Sequence, residues 1–378
     1  MLKGKLIAKR DSNDRMKLAG IDMKTFIRNI MGDNFYSLLK ETIESIKLWY
    51  LRLCAKSIVL AKIYVLFSSD YNREIMSTIN GHKKFKENGA GEGGVNYFLR
   101  RSIHRLEKGL SIRPMKSIFA LDYIKQTVEA YVRIEKKYLL DSEAIWARDV
   151  LKVYFEVVGD NPIIADARSE FEKFNKENEL NDIHRAERHV PYRKLEAAQS
   201  TIGYEEFLSL TKARRSVRWY SPEPVDRALI DKAIFAATYS PSACNRQPFE
   251  FRVIDDPALL KKVVMLPGGI TAFADNIPVM IAIIGKQRAY PYPKDRHLIY
   301  IDGSLAAMSF MYALETLGLS SCAINWPDIK QREISAKKIL NLKDDERIIM
   351  WISLGYASED GMIPYSSKIP LDYIRTYN

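Results

Sequence analysis

Two short segments of this chain concentrate the side chains that bind small anions and flat heterocycles. In the first, Arg214-Arg215-Ser216-Val217-Arg218, three guanidinium groups and a hydroxyl fall within five residues, where a helical pattern gives way to an extended one. Arginine forks stay charged at every relevant pH and match phosphate oxygens in pairs, so the cluster suits a dianionic phosphate. Arginine-rich helix ends are also commonly just solvated, and the segment alone does not separate the two readings. The second, Ser240-Pro241-Ser242-Ala243-Cys244-Asn245-Arg246-Gln247-Pro248, is a polar turn between a helix and a strand. Its backbone N–H groups and its Ser, Asn and Gln side chains offer donors and acceptors to a planar ring. The plain alternative is a loop that caps a helix end and satisfies itself.

Other reactive residue types are sparse. His297, near a helix start, reads as a surface or capping residue rather than a proton donor, and Cys244 as a small packed thiol. The cysteines (Cys54, Cys244, Cys322) are widely spaced, with no CxxC pair and no His at metal-ligand spacing, so no metal site is expected.

The order of these segments resembles the FMN-binding nitroreductase-like superfamily. RRSVR is followed about 25 residues later by SPSxxNxQP and a strand. Then come Asn276-Ile277-Pro278 opening an apolar strand, a helix ending at Leu317-Gly318-Leu319, Ser320 to Ile324, Leu354-Gly355-Tyr356, and Ser367 to Leu371. The resemblance implies an α+β fold, with a mixed sheet flanked by helices, in a homodimer that holds FMN at its interface. It further implies that Arg214, Arg215, Ser216 and Arg218 hold the FMN phosphate and reach toward the pyrimidine edge. Lys368 would complete the phosphate site, from its own chain or from across a subunit boundary. Ser242, Asn245 and Gln247 would line the isoalloxazine, and the backbone of Ala323, Ile324 and Asn325 would approach flavin N5.

The implied reaction is ping-pong. NADH or NADPH delivers hydride to flavin N5 and leaves, and a small nitro- or quinone-like compound collects the electrons. No catalytic side chain is then required, because the cofactor carries the chemistry. Specialised relatives perform dehydrogenation or dehalogenation, and a flavin-binding scaffold that docks through its basic half is the alternative from another class. One departure stands out: Asn325-Trp326 occupies a place where many relatives carry an acidic residue and Gly, so Trp326 is a candidate for shaping the pocket. Gln287 to Arg296 has the composition of a lid over the substrate face or of a plain surface loop.

These segments need a scaffold to position them. At 378 residues two domains are the natural division. Residues 200–378 alternate helix and strand signals. Tyr204 to Arg214, Val225 to Tyr239 and Leu298 to Leu317 have helical spacing, whereas Phe249 to Ile254, Pro278 to Gly285 and Arg347 to Leu354 are strand-length runs. Small residues Gly303, Ala306, Ala307, Ser309 and Ala313 stripe the long helix, for close approach either of a partner or of its own sheet. Residues 1–199 read as mainly helical, from Met23 to Tyr71 and Met115 to Phe174, with a glycine-rich loop at Asn88 to Gly94 and a charged linker at about 170–199.

The net charge of +11 is uneven. Residues 201–378 hold 22 Lys and Arg against 20 Asp and Glu, leaving 36 against 27 for the first 200. That basic half contains no zinc-finger or RNP-like pattern, so nucleic acid is not an expected partner. Its segment Arg100 to Leu110, with His104, could meet a second anionic ligand or be a solvated helix end. Ser57 to Ser68 is too short for the ~20 residues that cross a bilayer. It reads as a core-packed helix, with peripheral contact to an anionic membrane as the other option. The odd, dispersed cysteines and the absence of a secretory pattern in the first residues point to a reduced, cytoplasmic setting.

Overall fold

A computed structural model describes residues 32–88, 95–180, 188–196 and 199–378. The expected glycine-rich loop, apart from Asn88, and the span from Met23 to residue 31 lie outside them. The chain divides into two compact units, one up to Asn72 and one from Arg73 to Asn378.

In the first unit, helices α1 (Asp33–Cys54) and α2 (Ile58–Phe67) pair through Tyr50 and Tyr64, whose ring centroids lie 6.0 Å apart. The expectation that Ser57 to Ser68 packs in a core is not met, since α2 has no buried residue. Among the described residues of its unit only α1 lies alongside α2, and one helix cannot surround another. No described helix is long and apolar enough to cross a membrane.

The second unit begins with α3 (Asn72–Asn88) and continues through α4 (Tyr97–Ser111), α5 (Ile124–Val132), α6 (Ser142–Val157) and α7 (Pro162–Glu177). Apolar residues at three- and four-residue spacing point inward and form one core, including Leu99, Ile103 and Leu106 of α4 and Val150, Leu151 and Tyr154 of α6. The charged stretch expected to be linker is in part structural. Helix α7 runs to Glu177, Phe171 is buried, and Asn175 accepts a 2.8 Å hydrogen bond from the Tyr131 hydroxyl.

From Tyr204 onward the elements are α8 (Tyr204–Ala213), α9 (Arg227–Ala237), β1 (Phe249–Ile254), α10 (Pro257–Val263), β2 (Val279–Lys286), α11 (Leu298–Thr316), β3 (Ser320–Ile324), α12 (Lys330–Leu340), β4 (Glu346–Gly355) and α13 (Leu371–Ile374). The class is α+β. The strands form one sheet in the order β1-β2-β4-β3 with every pair antiparallel. The mixed character implied by the resemblance is confined to a parallel bridge between Ser216 and Ser321.

Strand β2 explains the two-layered core. Met280, Ala282 and Ile284 enter a cluster with Trp326 and Trp351, while Val279, Ile281 and Ile283 face α9 and α11. Both faces are covered, so the strand reads as a continuous apolar run rather than an alternating one. Each such buried aliphatic side chain contributes roughly 1.5–3 kcal/mol. Three residues of the small-residue stripe of α11 serve this packing: Gly303, Ala306 and Ala307 are buried, and a Cβ on Gly303 would collide with Ile349 Cδ1, while Ser309 and Ala313 are half-buried.

Candidate functional site

The arginine segment lies where α8 ends. Arg214 is the C-cap, with extended backbone, and the chain then runs beside β3, where Val217 N donates to Ser321 O at 3.1 Å. Two further clamps fix it. Asn276 accepts from Tyr220 N at 3.2 Å and donates to Arg218 O at 2.8 Å. The buried Tyr220 hydroxyl donates to Val217 O at 2.8 Å and shares a 2.8 Å hydrogen bond with Ser353 Oγ. Tyr220 can approach the end of β4 because residue 355 is glycine; a Cβ there would come within 2.9 Å of the tyrosine ring. Of these braces, Val217, Asn276, Ser321 and Gly355 belong to the motif landmarks of the sequence; Tyr220 and Ser353 carry no signal there, Ser353 being a lone hydroxyl in an apolar run.

The C-terminal segment closes over this turn. Arg214, Arg215, Ser216 and Arg218 line one cavity of about 80 Å³ together with Ile363, Pro364, Ser366 and Lys368. The arginines are not equivalent within it. Arg215 donates to Pro364 O at 2.7 Å and also to Tyr365 O, which anchors the segment that carries Lys368. Arg218 donates weakly to Ser216 O at 3.4 Å. Arg214 Nε is buried with no hydrogen-bond partner among the described residues, as is Ser321 Oγ. A buried guanidinium N–H left without an acceptor is costly, and a bound anion would supply one. Nearby, burial pushes the Cys322 thiol above its ordinary pKa, against the pull of Arg218 and Arg214. It therefore stays protonated near neutrality.

The second expected segment forms a strained, well-braced loop elsewhere. Cys244, Asn245 and Gln247 all have left-handed backbone, with φ of 54°, 48° and 50°. Ser366, in the wall of the arginine cavity, is a further non-glycine residue of this kind, at φ 49°. Such conformations cost roughly 1–3 kcal/mol each and persist only where surroundings over-determine them. Here Ser242 Oγ accepts from Gln247 N at 3.0 Å, and Gln247 Nε2 donates to Thr238 O at 2.5 Å. The buried Asp302 accepts from Ala243 N at 3.0 Å and from the Tyr290 hydroxyl at 2.6 Å. Burial raises the Asp302 carboxyl above its usual range, with those two hydrogen bonds opposing.

Arg100 of α4 completes the bracing. Its Nε donates to Asn245 O at 3.0 Å, one terminal nitrogen to Gln247 Oε1 at 3.3 Å and the other to Glu143 at 2.9 Å. Its guanidinium also lies 5.4 Å from the Trp146 ring centroid. Of the two readings open for Arg100 to Leu110, neither covers this residue: it is neither solvated nor free for a ligand, but tied to the loop. His104 lies 3.2 Å from Glu107.

The structure thus brings Arg214, Arg215, Ser216, Arg218 and Lys368 together, and the lining of their cavity includes none of Ser242, Asn245, Gln247, Ala323, Ile324 or Asn325. In β3 and just beyond it, Ala323 and Asn325 are exposed, while Ile324 is buried in the core and leaves only its backbone for a ligand. Trp326 is a core residue: its ring packs edge-on against Trp351 at 5.9 Å, and Nε1 donates to Glu333 at 2.5 Å. Nor is 287–296 an open lid. Gln287 to Tyr290 are buried, and Arg288 forms ion pairs with Asp345 at 2.7 Å and with Glu346. These pairs draw that half inward and leave only Tyr292 to Arg296 near the surface. His297 is the exposed N-cap of α11, without a side-chain capping bond. The cysteines are free, and no metal-binding cluster occurs among the described residues.

Comparison with known proteins places this arrangement. The model of the Nitroreductase family matches residues 211–267 and 265–356, a span that holds the arginine segment, the strained loop and all four strands. The C-terminal half carries a nitroreductase-family domain. That family is one of oxidoreductases. The nitroreductase-like half is 27% identical over 198 residues to iodotyrosine deiodinase 1 of Sus scrofa, covering 45% of this chain and 68% of that one. It is 28% identical over 163 residues to a protein of Archaeoglobus fulgidus provisionally named an NADH dehydrogenase/NAD(P)H nitroreductase, covering 41% and 88% respectively. Among solved structures, an FMN-dependent nitroreductase from Clostridium difficile is similar at 25% identity and a TM-score of 0.40, over 45% of this chain and 99% of that one. The family match begins at residue 211, after the helices α1 to α7.

Proposed function

We propose that this protein is an FMN-dependent oxidoreductase that takes hydride from NADH or NADPH and passes the electrons to a small electron-poor compound. The observation that carries the reading is the cavity in which Arg214, Arg215, Ser216 and Arg218 meet Lys368, from the far end of the domain, around a buried and unpartnered Arg214 Nε. Arg214, Arg218 and Lys368 would hold the FMN phosphate, with Arg215 keeping the C-terminal segment over it. Ser242, Asn245 and Gln247 would meet the ring, in a loop whose strained backbone is held by Asp302 and Arg100. The backbone of Ala323, Ile324 and Asn325, beside the bridge to Ser216, would approach flavin N5. When bound, FMN supplies the hydride acceptor and donor; the chain binds, orients and excludes water.

That the lining of the arginine cavity includes none of Ser242, Asn245 or Gln247 fits a homodimer in which two copies share each site. So does the exposed apolar C-terminal arm, with Ile369, Leu371, Tyr373 and Ile374 uncovered. In this reading residues 200–378 form the flavin-binding domain and 1–199 its helical extension. Three free thiols fit a reduced, cytoplasmic setting.

The test is the absorbance spectrum of the purified full chain with FMN, followed anaerobically after NADH or NADPH is added. A protein-bound flavin that bleaches supports the proposal; one that stays oxidised with both nicotinamides refutes the electron-donor assignment. A second reading, reductive dehalogenation, is favoured by the similarity to iodotyrosine deiodinase 1. Halide release from a halogenated phenol, against reduction of a nitroarene by the same preparation, separates the two.

A further inference from the structure

The first unit has a surface that the flavin domain does not call for. Helix α2 is Ile58-Val59-Leu60-Ala61-Lys62-Ile63-Tyr64-Val65-Leu66-Phe67, and Ile58, Leu66 and Phe67 are 71%, 77% and 83% exposed. Helix α1 leaves Trp49 62% exposed and uncovers Leu48, Tyr50 and Leu51 beside it. Soluble monomers rarely leave contiguous apolar surface of this kind without a partner.

The charges name the partner. From Ser45 to Ser69 the charged residues are Lys47, Arg52, Lys56 and Lys62, with no acidic residue among them. Among the described residues, Lys47 alone of these four has an ion pair, with Glu44 at 2.7 Å, and both of those side chains are exposed enough for the pair to be weak. Helix α2 carries one cation, Lys62, among Ile, Leu and Phe, with Lys47, Arg52 and Lys56 just before it in the chain, a mixture of basic and apolar residues that suits an anionic membrane interface. Long Lys and Arg stems reach up to the headgroups while the apolar side chains sink below them. The amphipathic rings of Trp49, Tyr50, Tyr64 and Tyr71 belong at the same level. A ten-residue helix is about 15 Å long, half a bilayer's apolar thickness, so α2 lies on the surface rather than crossing it.

We infer that the α1–α2 hairpin docks this protein on a membrane surface rich in anionic lipid, with α2 inserted parallel to the plane. The inference is independent of the flavin reading, since it uses no residue of the arginine cavity.

The test is co-sedimentation of the full chain with phosphatidylcholine vesicles, with and without phosphatidylglycerol, against a control without vesicles. The chain is expected to pellet with the anionic vesicles and to be released by high salt. Leu66→Asp combined with Phe67→Ser should remain in the supernatant; both positions are exposed, so circular dichroism should be unchanged. Lys56→Glu combined with Lys62→Glu should weaken binding more than about tenfold, because each basic residue near an anionic surface adds to the attraction. Absence of vesicle-dependent pelleting overturns the inference, as does pelleting that the apolar variant leaves unchanged. Oligomers that the apolar variant dissociates, without vesicle binding, would overturn it in favour of a second copy as the occupant.

Discussion

Replacing Arg214 by Leu separates what that side chain costs the free protein from what it gives the bound one. In the free chain Arg214 Nε is buried without an acceptor. Removing it takes away an unsatisfied donor along with a half-buried charge, but also its attraction for Glu315, so the apoprotein should stay within about 1 kcal/mol of the parent. With FMN bound, the same nitrogen would make a charge-assisted bond to phosphate, and bonds of this type contribute about 1.5–3 kcal/mol. Its loss should raise the FMN dissociation constant by roughly 10- to 150-fold. Arg215→Leu makes the contrast. Arg215 donates to the carbonyls of Pro364 and Tyr365, so this variant should lower apoprotein stability by about 1–2 kcal/mol through loss of the C-terminal anchor. Flavin fluorescence titration and urea unfolding of the apoprotein read the two quantities separately. The reasoning fails if Arg214→Leu binds FMN within about twofold of the parent, or if it destabilises the apoprotein as much as Arg215→Leu does.

Arg100→Ala should cost about 3 kcal/mol in urea unfolding, because it strands the largely buried Glu143 carboxylate and frees Asn245 and Gln247 together; a loss below about 0.5 kcal/mol would show that the brace is not used. Asp302 gives a pH signature. Burial raises its folded pKa above the unfolded value, so its favourable contribution is complete below the usual carboxylate range and is lost as pH rises through the folded value. Asp302→Asn keeps an acceptor for Tyr290 and Ala243 but does not titrate. Its melting temperature relative to the parent should therefore climb from the carboxylate range toward neutrality. Asp302→Ala, which loses both bonds, should sit about 2 kcal/mol below the parent at low pH. A pH-independent difference between parent and Asp302→Asn would contradict this account.

The sheet domain was legible because its elements obey local rules. Phe249 to Ile254 is a strand as expected, and the runs before Gly285 and Leu354 are strands within a residue at each end, since central strands covered on both faces need unbroken apolar sequence. The arginine segment and Lys368 were legible as a group only through resemblance, because a contact between residues so far apart leaves no periodic trace. Trp326 shows the opposite failure. An indole next to an expected flavin contact suggests a pocket wall, yet Glu333 and Trp351 draw it into the core. Arg288 was hidden for a related reason: lid-like composition does not reveal that Asp345 and Glu346 lie beneath it. In α2, apolarity alone predicted burial, whereas among the described residues of its unit only α1 packs beside it.

The central claim is that the Arg214 to Arg218 turn and Lys368 form a phosphate site for a flavin. Titrating the full chain with FMN and, separately, with riboflavin tests it most directly, because the two ligands share the ring and differ by the phosphate. The account predicts that FMN binds at least about 100-fold more tightly, from two or more charge-assisted hydrogen bonds. It also predicts that raising the salt concentration narrows the gap. Equal affinity for the two ligands would contradict it.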